Sequence, residues 1–537
     1  MTEYKLFAQR VGLVGIVNLL VNLSGIILLP ILTKTLPIGE YGIWVQVIVT
    51  ITLISPVAGL GLPYTMVRFL AAEKDKTKIQ EGFYSIAVFI LFTSLAASLL
   101  LFIFSEPFAA AFLGDRADLI RIISVILPIE CLNNLFLNYF RTFQRIKKYS
   151  FFNILYTYGM VALVAYSLLS GYGIVGALIS FLIARIIVFM LMASLIISEI
   201  GVKIPNFSHL KEYLSFGLPT VPGNFSAWIV NSSDRYIIGY FLGVAFVGYY
   251  SPGYTLGATV SMYMAPLGFL LPAVLSKLYD EGKEGEVKRY LEYTLKYFLM
   301  LAIPSAFGLS FLSRPLLITL STSEIASYGY LITPFTAVSK VLYGVYSVIV
   351  QIIVLVKRTK ITGSIWILAA VINLGLNFLF IPYFGILGAA ITTLIAYALA
   401  FVLTAYYSFK YLKFNIDFRF ILKSIFASIV MSLVIIKWSP VGISNILIEI
   451  GVCAVVYAAV LLLLKGIRKE EIAFLKGYSE FNSVSNDLIS SLVSNFTPLP
   501  LDEYSLFSLF LKLSGSLCVH RLFSHKFLLS AGLPKYS

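Results

Sequence analysis

About fourteen times the 537-residue chain runs through some 20 residues with almost no charge, and that recurrence decides what it can fold into. A run of that length matches a helix crossing the hydrocarbon of a bilayer. Backbone polar groups in lipid must satisfy one another, so each run has to be helical. The runs fall at about 11–33, 41–67, 83–105, 117–140, 151–170, 174–197, 213–243, 246–275, 291–313, 327–356, 362–381, 385–409, 419–437 and 443–464. Composition agrees: 59% of residues are hydrophobic and 12% charged, and the mean hydropathy is +0.91. Soluble domains carry about 45–50% apolar and about 25% charged residues. The expected fold class is therefore all-α integral membrane, with about 14 transmembrane helices. Lys5 and Arg10 precede the first run, which is too long for a signal peptide and has no small-residue cleavage site. It is expected to stay as the first helix.

Three cysteines, Cys131, Cys453 and Cys518, form no CxxC pair, and His209, His520 and His525 have no metal-ligand spacing. No disulfide, metal site or cofactor is expected. The net charge of +14 finds no nucleic-acid motif to accompany it. It reads instead as a basic cytoplasmic face, so no nucleic-acid partner is expected.

Lysine and arginine then orient the helices. Arg68, Lys74, Lys76 and Lys78 follow the second run, and Arg141, Arg145, Lys147 and Lys148 the fourth. Lys203 and Lys211 follow the sixth, Lys277, Lys283, Lys288 and Arg289 the eighth, Lys357, Arg358 and Lys360 the tenth, and Lys410, Lys413 and Arg419 the twelfth. The loops after the fifth, seventh and eleventh runs hold no Lys or Arg. The positive-inside rule places the N-terminus and the end of the last helix in the cytoplasm of a cell-membrane protein.

The sequence also repeats. GIVGA at 173–177 returns as GILGA at 385–389, RIKK at 145–148 faces KRTK at 357–360, and YGIW at 41–44 resembles VGYY at 247–250. The offsets are all about 210 residues, which argues for a duplicated unit of six helices. Six is even, so both copies enter from one side as parallel repeats. This gives lobes at 1–200 and 201–412, an extra helix pair at 413–470, and a serine-rich tail at 471–537 that holds no span and for which disorder is one reading.

Three stretches carry a family resemblance. FGLPTVPGNFSAWIVNSSDRYIIGYFLGVAFVGYY (216–250) resembles the seventh helix of polysaccharide-precursor exporters of the MOP (multidrug/oligosaccharidyl-lipid/polysaccharide exporter) superfamily. NLGLNFLFIPYFGILGAA (373–390) resembles their helix 11–12 signature, and LTKTLPIGEYGIW (32–44) their helix 1–2 turn. The resemblance, to the O-antigen and teichoic type of flippase, covers about residues 5–470 and leaves out the tail. It implies a flippase, not an enzyme. Such a protein moves a polyprenyl-phosphate- or polyprenyl-diphosphate-linked oligosaccharide across the cytoplasmic membrane by alternating access between two lobes. Implied partners are the lipid-linked oligosaccharide, membrane lipids and the glycan polymerase or glycosyltransferase machinery.

Charges inside spans are costly and default to functional candidates. Here they are Glu130, Arg185, Asp234, Arg235, Glu292, Lys296, Lys340 and Glu449. Arg185, Arg235 and Lys340 each lie about ten residues from the outer end of their helix, and are expected to share one depth. Three cations at one level suit a phosphate group, Arg as a fork and Lys as a point charge. Arg235 is expected to face the cleft between lobes and Asp234 to hold a cation within the bundle. Adjacent helix positions point about 100° apart, so Asp234 and Arg235 are not expected to meet one partner squarely. Glu292 and Lys296 are expected to snorkel. Asn134 and Asn138, with Asn133, Asn18 and Asn22, suit sugar hydroxyls because amides donate and accept. Helix–helix glue competes for each of them, as for Asn373 and Asn377. A drug or cation antiporter of the same superfamily would need Asp234 or Glu130 to titrate. A membrane-embedded glycosyltransferase or polymerase would need carboxylates on sizeable outer loops, where only Glu40, Glu106, Asp115, Asp118 and Glu324 stand. A lipid-binding scaffold is the third alternative.

Overall fold

Apolar runs become helices, several of them continuing through internal prolines such as Pro30, Pro128 and Pro304. The computed structural model describes residues 2–438 and 442–466. The tail, with Cys518, His520 and His525, lies outside the described residues. The first half of the chain forms α1 (Thr2–Thr35), α2 (Ile38–Ala58), α3 (Leu62–Leu70), α4 (Lys76–Ile103), α5 (Ser105–Phe112), α6 (Ala117–Thr142), α7 (Ile146–Leu169) and α8 (Gly173–Ile200). The second forms α9 (Leu210–Gly217), α10 (Val221–Leu242), α11 (Val244–Ala258), α12 (Met264–Asp280), α13 (Glu284–Leu320), α14 (Ser323–Gly329), α15 (Ile332–Leu355) and α16 (Thr359–Tyr411). Then come α17 (Phe418–Trp438) and α18 (Ile443–Leu463).

Eleven helices among the described residues are long and apolar enough to cross a membrane, which makes this a multi-pass membrane protein. The expected count of about fourteen is larger because three runs are interrupted. Gly385 adopts φ 59°, a left-handed conformation that a Cβ disfavours, and turns the chain back within α16: Thr392 bonds Asn377 across the turn, so the eleventh and twelfth runs are two helices inside one long element. The seventh run breaks at Leu218–Thr220 into α9 and α10, beside Pro219 and Pro222. The polar string Asn231, Ser232, Ser233, Asp234, Arg235 also lowers the hydropathy of α10. The eighth run breaks at Thr259–Tyr263 into α11 and α12. Loops supply ordinary stop and start signals: Asp75 caps α4 by accepting the Thr77 N–H at 2.9 Å, and Thr322 caps α14.

The chain shuttles between two ends. The turn end holds the tight turns at 36–37, 243 and 321–322, where Lys34 Nζ donates to the Thr319 carbonyl at 2.8 Å and Tyr249 bonds Glu324. The basic end holds the longer loops, where Lys203 pairs with Glu81 at 2.8 Å and Arg145 and Lys148 pair with Glu199. In the first half α1 packs on α7, α7 and α6 on α8, and α4 on α6. In the second, α10 and α15 pack on α16 and α13 on α15, with α17 against α13 and α18 against α17. The halves meet where α3 packs on α9 and α1 on α12, and most extensively where α2 lies on α10 and α11.

That meeting is closest near the turn end. A Cβ on Gly42 would sit 1.9 Å from the Val244 carbonyl oxygen, and one on Gly248 would sit 2.7 Å from the Ile38 carbonyl oxygen. Lipid gives helices no hydrophobic reason to associate, so close backbone approach at small residues supplies the contact. Gly42 and Gly248 thus let α2 and α11 touch backbone to backbone.

Candidate functional site

The charges of α10 do not point apart. Arg235 Nη1 donates to Asp234 Oδ1 at 2.8 Å, and the Arg235 backbone N–H reaches the same oxygen at 2.9 Å. The two side chains bridge the angle between adjacent positions because Asp234 curls back onto its neighbour. Tyr250 on α11 donates to the other Asp234 oxygen. Arg235 also donates to the Asn231 carbonyl at 2.7 Å and lies 4.0 Å from the centre of the Tyr254 ring. Both side chains are buried, Arg235 at 7% exposed and Asp234 at 1%.

Lys340 on α15 joins them from the far side of Tyr254. Its Nζ stands 5.4 Å from that ring and 4.7 Å from Tyr397. It donates to Asn231 Oδ1 at 2.9 Å and to Tyr397 OH at 2.9 Å, and Tyr397 in turn donates to Asn231 Oδ1 at 2.6 Å. Among the described residues Lys340 has no carboxylate partner, although it is only 6% exposed. The cluster therefore carries two cations and one carboxylate in the interior of a membrane protein. Three tyrosine rings and one amide spread that excess positive charge but do not cancel it. Half-buried Asn231 and Tyr343 form its most accessible edge.

Arg185, expected at the same level, stands apart. On α8 it pairs with Glu130 of α6 at 3.0 Å, lies flat 3.4 Å from the Tyr156 ring centre, and donates to the Tyr156 carbonyl at 2.9 Å. Tyr156 OH bonds Glu130, and Asn133 donates to the Arg185 carbonyl at 3.0 Å. This cluster is neutral and internal to the first half. Of the three expected cations the structure brings together Arg235 and Lys340.

Other candidates sort by exposure. Glu130, Asn134, Asn138 and Arg141 share one face of α6 at helical spacing, with Asn134 and Arg141 exposed and the other two half-buried. Asn138 donates to the Asn134 carbonyl and amide oxygens at 2.9 and 3.0 Å, which leaves its own oxygen free. On α1, Asn22 is exposed and Asn18 half-buried. Asn373 and Asn377 are fully buried and bond each other at 3.2 Å, as packing glue does. Lys296 does not snorkel: it is buried, with Nζ 5.1 Å over the Phe420 ring. Glu292 accepts the Asn415 N–H at 2.8 Å.

Sequence reasoning passed over the groups that surround the charges. Tyr250, Tyr254, Tyr397 and Asn231 carry no formal charge and so gave no signal. The one available clue was tyrosine at positions with little need of a hydroxyl in lipid. Gln46 was also missed. It sits on α2, fully buried, and donates to the Arg235 carbonyl at 2.7 Å. Beside it Thr50 bonds Tyr236 at 2.7 Å, so the first half reads the α10 backbone at the charge cluster itself.

Comparison with known proteins bears on the family and the fold. The chain is 24% identical over 275 residues to the probable low-salt glycan biosynthesis flippase Agl15 of Haloferax volcanii, covering 50% of this chain and 58% of that one. It thus spans little more than half the length of that relative. Its fold is that of MOP transporters. It superposes on the lipid II flippase MurJ in an inward closed conformation with a TM-score of 0.67, at 20% identity over 83% of this chain and 97% of that one. An inward-facing multidrug resistance MATE family transporter gives 0.60 at 17% identity, over 74% and 97%. A family described as polysaccharide biosynthesis protein matches residues 7–278, half of the chain. That match over half of the chain makes it a member of the polysaccharide biosynthesis protein family.

Proposed function

We propose that the protein is a flippase that moves a polyprenyl-phosphate- or polyprenyl-diphosphate-linked oligosaccharide across the cytoplasmic membrane. The observation that carries this reading is the excess positive charge of the Arg235–Asp234–Lys340 cluster. An unbalanced cation inside a bilayer is costly, and its persistence calls for an anion that visits it. The phosphate of a carrier lipid has the required charge, and Arg235 offers the fork and Lys340 the point charge that bind it. Sugars then extend along the amide face of α6, where Asn134 and Asn138 both donate and accept. The flippase and lipid II flippase named among the relatives support the same substrate class.

In this reading residues 1–200 and 201–412 act as two lobes, with the α17–α18 pair outside them. The packing within each half, denser than the contacts of α1, α2, α3 and α5 with the second half, supports that division. The basic end faces the cytoplasm, by the positive-inside rule. The glycine seam then closes the outer side, and the lobes alternate by opening it. Asp234 and Glu130, the acids on which an antiporter reading would turn, each face a guanidinium group in this state.

Purified full-length protein in detergent should retain a polyprenyl-phosphate-linked sugar and release it on native mass spectrometry far more readily once Lys340 is replaced by Ala. Loss of one charge-assisted contact of about 1.5–3 kcal/mol corresponds to roughly ten- to hundredfold in affinity. The dephosphorylated carrier should bind no better to wild type than to the variant. Equal retention of the phosphorylated lipid by wild type and Lys340→Ala would count against the phosphate site.

A further inference from the structure

Glu449 lies outside both lobes and outside the charge clusters above. It sits on α18, six residues from the helix start, with the side chain wholly buried. Its neighbours on α18 face the other way: Leu447, Ile448, Ile450 and Val455 are 61, 56, 44 and 68% exposed, on what is the lipid side of a membrane helix. The carboxyl group therefore points into the seam between α18 and the helices it packs on, α17 and α13.

Neither Glu449 oxygen accepts a hydrogen bond from any described residue. The facing segments explain why. Residues 424–436 of α17 and 297–313 of α13 contain no Asp, Glu, Lys, Arg or His. The nearest such groups on those helices, Lys423, Lys437, Lys296 and Arg314, stand toward the ends. On α18 itself the titratable groups are Cys453, one turn along, and Tyr457, whose hydroxyl pairs with Ser424 and donates to the Met300 carbonyl. Ser424 marks the face of α17 turned to α18. Ser428 and Ser432 continue that face, both buried, and each gives its proton to a carbonyl four residues back, which leaves oxygen lone pairs free.

An ionised carboxylate without partner in a dry interior is too costly to persist, and such a group takes up a proton instead. We propose that Glu449 is a proton-binding site: its carboxyl is carried as the neutral acid in the seam between α17 and α18, with the serine oxygens as the acceptors within reach of a small helix shift. The ligand is a proton. By helix rise Glu449 lies about 9 Å from the start of α18, at the end of the helix pair opposite Lys423, which donates to the Lys465 carbonyl. Its exchange is therefore with the solvent at that end. The inference stands independently of the substrate assigned to the central cluster.

Infrared spectroscopy of the full-length protein in lipid vesicles tests it. At neutral pH wild type should show the C=O stretch of a protonated carboxyl, and Glu449→Gln should lose it. Gln has the shape of the neutral acid, so the variant should keep its folded yield. Dicyclohexylcarbodiimide, an apolar reagent that attacks protonated carboxyls, should attach to the peptide holding Glu449 in wild type alone. Should Glu449→Gln fail to fold, Glu449→Asp keeps an acid of different length and should shift the band. A folded wild type with no protonated-carboxyl band, or one that Glu449→Gln and Glu449→Asp leave untouched, overturns the proposal.

Discussion

Replacing Asp234 by Ala should collapse the yield of folded protein, and replacing Glu130 by Ala should do nearly the same. Each change deletes the carboxylate that faces a buried guanidinium, Arg235 in one case and Arg185 in the other. Removing one partner of a buried pair costs about 3–5 kcal/mol, a large part of a typical stability of about 5–15 kcal/mol. The Asp234 variant should suffer more, because Arg235 and Lys340 would then share Tyr254 with no negative charge between them. Asp234→Asn keeps the acceptor for Tyr250 and should fall between. The quantity to measure is the fraction that elutes as a monodisperse species in detergent, normalised to membrane-inserted chain. Wild-type yield from Asp234→Ala would mean that the pair contributes nothing to the fold.

The second large effect concerns the seam. Gly42→Leu should abolish transport while leaving the protein inserted. Its side chain has to displace the Val244 backbone, which a Cβ would already approach to 1.9 Å. Overpacking typically costs about 1–3 kcal/mol. All of it falls on the closed state, so the closed population drops by up to roughly a hundredfold. The readout is a cysteine placed at Thr50, beyond the seam and against Tyr236. Membrane-impermeant maleimide added outside the cell should label it in the Gly42→Leu background and spare it in the wild-type background. Equal protection in both would show either that the seam is not the closure or that the turn end faces inward. The second case is recognised by the same cysteine reacting from the inside of inverted vesicles.

How much of this was legible in the chain follows from what lipid demands. The helices were legible because a bilayer fixes their length and forbids alternatives. Their breaks were legible only in part: Pro219 and Pro222 stand at the break before α10 and Pro266 just after the one at Thr259–Tyr263, whereas Pro128 and Pro304 lie inside unbroken helices. The charges were legible because each is an exception in an apolar run. Their partners were not. Depth along a helix placed Arg185 with Arg235 and Lys340, but depth says nothing about azimuth, and Arg185 turns into the first half to meet Glu130. The side-by-side pair of Asp234 and Arg235 escaped the 100° argument because side chains bend toward each other when no better partner exists. Tyr254 and Tyr397 could not be singled out among 34 tyrosines before the fold put them around Lys340.

The most direct measurement is translocation of a fluorescent polyprenyl-diphosphate-linked sugar in vesicles containing the full-length protein, scored by the share of label that becomes open to quenching from outside. Wild type should move it. Arg235→Ala strands Asp234 and should lower the folded yield, but per folded molecule it should also move the lipid about ten- to hundredfold more slowly, and Arg235→Lys should recover part of the rate because it keeps the charge and loses the fork. No translocation by wild type above empty vesicles, or wild-type rates from Arg235→Ala, would contradict the account.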